Sequence, residues 1–135
     1  MHQIHRAVRV FRRWSGWLLL IWWTAQFIAT HTPLPGDFPH HSDKLAHIAV
    51  YTMLGLLLTT WLYCRRQQQA WQSVLATLVI VSLYAIADEV TQPFVGRDAS
   101  VGDVLADLVG ILAGISAAVC SRMVWNTEGS RGQSA

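Results

Sequence analysis

Four apolar runs, Trp14–Thr30, Leu45–Tyr63, Trp71–Ala87 and Val101–Val124, limit what this chain can fold into more than any other feature. Each approaches the roughly 20 residues that a helix needs to cross a bilayer, the first and third at the short end of the range. A soluble helical bundle would carry a polar stripe on every helix, and the first and third runs have none. With 53% hydrophobic and only 13% charged residues in 135, the chain has more apolar surface than a small domain hides. Such domains bury only about 60–70% of what the unfolded chain exposes. The sequence therefore predicts one all-α integral membrane protein with four transmembrane helices.

The basic residues set the expected orientation. Arg6, Arg9, Arg12 and Arg13 precede the first run, Arg65 and Arg66 follow the second, and Arg122 and Arg131 end the fourth. In a four-span layout all of these share one side, and the other side holds only Lys44 and Arg97. The positive-inside rule then places both termini in the cytoplasm and turns the connections 31–43 and 88–100 outward. Trp14, Trp17, Tyr63, Trp71 and Trp125 fall near the cytoplasmic ends, where an aromatic belt belongs. The expected organisation is a basic N-terminus over 1–13, a membrane domain over 14–124 and a flexible polar tail over 125–135. The first run is too long, and too poor in a small-x-small cleavage site, to read as a removed signal peptide. The loop over residues 31–43, with Pro33, Pro35 and Pro39, should lack regular structure.

A net charge of +2 without a basic helix argues against nucleic acid as a partner. Cys64 and Cys120 have no CxxC or Cys/His spacing, so they read as thiols buried within helices rather than as a disulfide or a zinc site.

Seven of the eight acidic residues gather at the outward ends of the runs: Asp37, Asp43, Asp88, Glu89, Asp98, Asp103 and Asp107. On the second run Asp43, His47 and Tyr51 follow at i, i+4 and i+8, one face of a helix. Asp43 also suits an N-cap, where the helix dipole favours a carboxylate. His47 lies a turn inside apolar sequence and needs a partner or a wet cavity. On the third run Asp88 and Gln92 share a face with Glu89 beside them, and Pro93 ends or kinks the helix. Acids at a helix C-terminus oppose the dipole, a local conflict of the kind that functional sites retain.

The fourth run places Asp103 and Asp107 on one face, the second a turn deeper. Gly102, Ala106, Gly110, Gly114 and Ala118 recur at every fourth position and form a smooth ridge for close helix packing. Against the seven acids stand only Lys44 and Arg97, with His47. Either several carboxyls are protonated or a divalent cation completes the site.

The segments DKLAHIAVYTMLG and DEVTQPFVGRDASVGDVLADLVGILAG together resemble the VanZ-like family of small multi-pass membrane proteins. The resemblance spans residues 43–114. It rests on an Asp-Lys-x-x-His-x-x-x-Tyr opening and on Asp-Glu-x-x-Gln followed by Gly-Arg and an Asp that leads into a glycine-rich helix. The positions matching the family pattern are Asp43, Lys44, His47, Tyr51, Asp88, Glu89, Gln92, Gly96, Arg97 and Asp103. One departure is Asp107, where the family often has Asn. The resemblance implies a protein of the bacterial cytoplasmic membrane, in a family whose namesake is linked to teicoplanin resistance. It brings no established reaction.

Three functions fit these residues. In the first and favoured one, an outward pocket binds an anionic envelope lipid or cell-wall precursor through Lys44, His47, Tyr51, Gln92 and Arg97. The carboxylates Asp43, Asp88, Glu89, Asp103 and Asp107 then orient those groups or hold a bridging metal. The second is a metal-assisted hydrolase of an envelope lipid, although no HExxH or P-loop is present. The third is a packing or scaffold role, in which the small-residue ridge makes a homo-oligomer.

Overall fold

The computed structural model describes the backbone of residues 2–32, 40–66 and 69–131, and the side chains of residues 14–32, 43–65 and 69–123. Among the described residues the chain forms α1 (His2–His31), α2 (His40–Arg66), α3 (Ala70–Thr91), a short 3-10 helix (Gln92–Val95) and α4 (Val101–Arg131), with no strand. Three stretches are long and apolar enough to cross a membrane: Asp43–Arg65, Ala70–Val95 and Val101–Met123. The described part of α1 is not among them. Trp14, Trp17, Trp22 and Trp23, with Gln26 and His31, hold its hydropathy below that of these three stretches.

The outer two helices extend beyond their apolar runs. α1 includes the basic segment before Trp14, and α4 continues past Trp125 to Arg131, since no proline intervenes to stop either helix. Residues 33–39, including Asp37 and the three loop prolines, lie outside the described residues, as do residues 132–135.

The bundle has the polarity expected in lipid. Among the described residues eleven buried side chains are polar or charged, as many as are apolar. Large apolar side chains such as Ile21, Leu83, Val90, Phe94 and Leu112 face outward. Water would not tolerate such an exterior, but acyl chains do, and the polar groups are enclosed because they have no partner in hydrocarbon. Leu54, Leu58, Val81, Ala85, Ile111 and Ile115 fill the apolar centre. Cys64 is half-buried, whereas Cys120 is exposed on the outer face of α4.

The largest helix contact joins α2 and α4, which run parallel because both begin at the same end of the bundle. Their backbones nearly touch. A Cβ on Gly114 would strike the Thr52 carbonyl oxygen and the Leu56 nitrogen, and one on Gly110 would lie against the Ile48 carbonyl and Thr52 nitrogen. The buried small residues Ala106, Gly110, Gly114 and Ala118 are therefore part of a packed face inside the chain, with α2 covering the two glycines. On the opposite side α1 docks through Trp22, whose indole donates to the Val50 carbonyl at 3.3 Å, and through Trp23, edge-on to Tyr84 at 5.1 Å.

This packing predicts an asymmetry between glycines. Gly114→Ala meets backbone that cannot move alone, so the bundle should lose about 1–3 kcal/mol by overpacking. Gly16→Ala meets only side chains, the Trp61 indole and more distantly the Arg65 guanidinium, which can turn aside, so its change should stay within about 1 kcal/mol. Thermal unfolding of both variants in detergent checks the difference.

Candidate functional site

The site lies where α1 and α3 end and α2 and α4 begin. α3 stops at Thr91, and Pro93 enters the following 3-10 turn at a position needing no backbone donor. Gly96 closes that turn at φ 78°, a left-handed conformation that glycine adopts without a Cβ penalty. The chain then doubles back and Ser100 starts α4. Its hydroxyl accepts from the Gly102 N–H at 3.2 Å, as an N-cap does.

Asp88 is the hub of one polar network. Its Oδ1 accepts from the Thr30 hydroxyl at 2.9 Å and lies 3.5 Å from His31 Nδ1. Its Oδ2 accepts from the Tyr51 hydroxyl at 3.5 Å and the Gln92 amide at 3.4 Å. Gln92 also donates to Glu89 Oε1 at 3.2 Å. The other Glu89 oxygen accepts from the Ser100 N–H at 2.8 Å, which ties α3 to the start of α4. Tyr51 and Gln92 are essentially inaccessible, because this network encloses them.

A second group centres on His47. Its Nδ1 lies 2.8 Å from Asp107 Oδ1, with both side chains buried, and the carboxylate fixes which way the imidazole faces. Asp107 Oδ2 is buried without a hydrogen-bond partner among the described residues. His47 also gathers with Asp43 and Asp103, and separately with Glu89 and Asp107, each trio having ligand atoms within 4.8 Å of one another.

The two cations are placed differently. Arg97 braces the bundle: Nη1 donates to the carbonyls of Ala29 and Thr30 at 3.3 and 3.2 Å, and Nη2 sits 3.7 Å from Asp43. It thereby caps the end of α1, where a cation suits the helix dipole. Lys44 instead extends its ammonium over Gly102 at the start of α4, close to where Ser100 directs its hydroxyl. It makes no ion pair with a carboxylate among the described residues. Asp98 is exposed, apart from both clusters.

The structure thus gathers Asp43, Lys44, His47, Tyr51, Asp88, Glu89, Gln92, Arg97, Asp103 and Asp107 at one end. It adds Thr30, His31 and Ser100, which the sequence reading passed over. Ser100 has a legible signal in the capping spacing Ser100-x-x-Asp103. Thr30 and His31 have none, because their role depends on how α1 is rotated against α3. Farther down, Leu20, Trp23, Thr24, Phe27 and Tyr84 line an apolar groove of about 310 Å³ between α1 and α3.

The arrangement, acids bridged to helix ends by short polar side chains, draws on residues 30–107 of the chain. The VanZ/LLP1 family model matches residues 3–124. The chain belongs to the VanZ/LLP1 family. No curated protein and no solved structure matches it.

Asp88→Ala should release Thr30, Tyr51 and Gln92 together. Interhelical hydrogen bonds in membranes average roughly 0.6 kcal/mol each, so the loss should be about 2 kcal/mol. Asp88→Asn, which keeps an acceptor oxygen, should lose less; equilibrium unfolding in mixed micelles measures both.

Proposed function

We propose that this VanZ-family chain resides in the bacterial cytoplasmic membrane, spans it four times with both termini inside, and handles an anionic envelope lipid or cell-wall precursor at its outward end. The segregation of charge supports the orientation. Arg65 approaches Gly16 beside Trp61, and Arg122 stacks on Tyr63 at 4.5 Å, at the end opposite Lys44 and Arg97. With Arg66 and the arginines before Trp14, that end is strongly cationic, as a cytoplasmic face is. α1, tied to α2 and α3 along its length, completes the fourth crossing in this reading. A reporter fused after Ala135 should be active only if its activity requires the cytoplasm. An active periplasmic reporter at that position would reverse the topology.

The observation that carries the ligand class is Lys44. Its ammonium stands at the first turn of α4 with no carboxylate paired to it among the described residues, at a helix N-terminus whose dipole also favours an anion. Arg97 is half-spent on α1, and Tyr51 and Gln92 are closed in by Asp88 and Glu89, so headgroup contact falls mainly to Lys44. The apolar groove between α1 and α3 offers an acyl chain a place alongside. Changed handling of such lipids is the route by which glycopeptide tolerance would follow.

Lys44→Ala should weaken binding of a phosphate-bearing polyisoprenoid about tenfold, the size of one charge-assisted hydrogen bond. Titration of that lipid into purified protein in nanodiscs measures it. Unchanged affinity would remove Lys44 from the reading and the reading with it.

A further inference from the structure

At the start of α4 a carboxylate from another helix takes the role that local spacing assigns to Asp103. In a capping box the acid three residues after the N-cap reaches back to the N-cap N–H. Here that acid would be Asp103, but Glu89 of α3 takes the Ser100 N–H at 2.8 Å. Asp103 is left with no side-chain hydrogen bond among the described residues, although only 7% of its surface is exposed. Instead it meets Asp43 and His47, their ligand atoms all within 4.8 Å of one another.

We propose that Asp43, His47 and Asp103 form a binding site for a first-row divalent cation, with Asp107 as the positioning residue behind the imidazole. Three features carry this. First, Asp43 and His47 are one helical turn apart on α2, the spacing that brings two ligands to one ion, and α4 supplies the third from across the closest helix contact. Donors bound at roughly 2.1–2.2 Å can be no more than about 4.4 Å apart, so the trio closes on an ion with shifts of a few tenths of an ångström.

Second, Asp107 holds His47 at Nδ1, leaving Nε2 as the free nitrogen. Metal-binding histidines are oriented in this way by a carboxylate on the other ring nitrogen. Third, Asp103 is buried and accepts no hydrogen bond at its carboxylate from any described residue, and Asp107 Oδ2 is fully buried and unpartnered among them. Neither is offset by Lys44, which pairs with no described carboxylate, and Arg97 reaches only Asp43. A cation beside His47 supplies the missing positive charge.

One imidazole with two carboxylates suits Mn²⁺, Fe²⁺ or Zn²⁺ better than Ca²⁺, which prefers an all-oxygen shell of six to eight ligands. Three protein ligands leave positions for water or an anion's oxygen. Asp43, with a side chain 37% exposed, forms the open side through which the ion enters.

The test is Mn²⁺ uptake by the full chain in detergent without added lipid, read from the electron paramagnetic resonance of free Mn²⁺. Mn²⁺ is chosen because thiols such as Cys120 compete poorly for it. The wild type should take up one ion per chain. Asp103→Asn and Asp43→Asn should each raise the Kd at least tenfold, and Asp98→Asn should leave it unchanged. Asp107→Asn, whose amide oxygen still accepts from Nδ1, should retain more affinity than Asp107→Leu, which fills the same buried space but accepts nothing, a distinction that simple loss of packing would not produce.

Circular dichroism confirms that each variant remains helical. Should Asp103→Asn unfold, the half-exposed Asp43→Asn carries the comparison. No saturable uptake by the wild type, or wild-type affinity in a folded Asp43→Asn, overturns the site. Because lipid is absent, this outcome is separate from failure of the lipid-binding reading.

Discussion

The close approach of α2 and α4 governs the rest of the molecule. Gly110 and Gly114 let α4 settle against the α2 backbone at Ile48, Thr52 and Leu56, which neither water nor a hydrophobic driving force would enforce in a bilayer. Small residues achieve it because they allow van der Waals contact over a long stretch. Since the helices run parallel with a near-constant offset, the same contact aligns their beginnings. Lys44 comes over Gly102, His47 beside Asp107, and Asp43 near Asp103. A ridge that looks like packing alone is thus what brings the ionisable side chains together.

The ridge also answers the scaffold reading of the sequence. The smooth face that would serve a homo-oligomer is spent inside the chain, against α2. What remains outside is lipid-facing aliphatic and aromatic surface, while the buried interior carries carboxylates, hydroxyls and amides. Keeping such groups in a membrane is costly unless they satisfy one another. Asp88 and Glu89 do so across four elements, joining α1, α2, α3 and the start of α4. Farther along, Thr59 donates to Thr77 at 3.0 Å and links α2 to α3 where no acid is present.

Much of this was legible in the sequence because it follows from local periodicity. Run lengths identify the helices, i, i+4 spacing puts Asp43 with His47 and Asp103 with Asp107, and the small-residue repeat marks the face that packs. Helix ends were less legible. The polar residues after Trp125 and the arginines before Trp14 read as flanks, yet no proline interrupts them and the backbone stays helical from His2 and through Arg131. Partner choice was the least legible. Arg97 read as a ligand-binding fork, but the carbonyls at the end of α1 take one of its nitrogens. That use depends on where the α3–α4 turn delivers the side chain, a matter of tertiary geometry that no spacing encodes.

Asp107 is where local and global readings converge. Asp in place of the Asn that the family resemblance leads one to expect could be a mere change of acceptor, since either side chain can receive a hydrogen bond from His47 Nδ1. The difference lies in the second oxygen. An amide there would present a donor to Glu89 and its neighbours, whereas the Asp107 carboxylate leaves Oδ2 buried with none. In a low-dielectric interior an uncompensated carboxylate is among the least tolerable groups. Beside three other acids, an ionised Asp107 asks the imidazole alone to balance too much. The sequence raised that imbalance as a count of acids against cations; the fold reduces it to a single cluster around His47, where one divalent ion would resolve it.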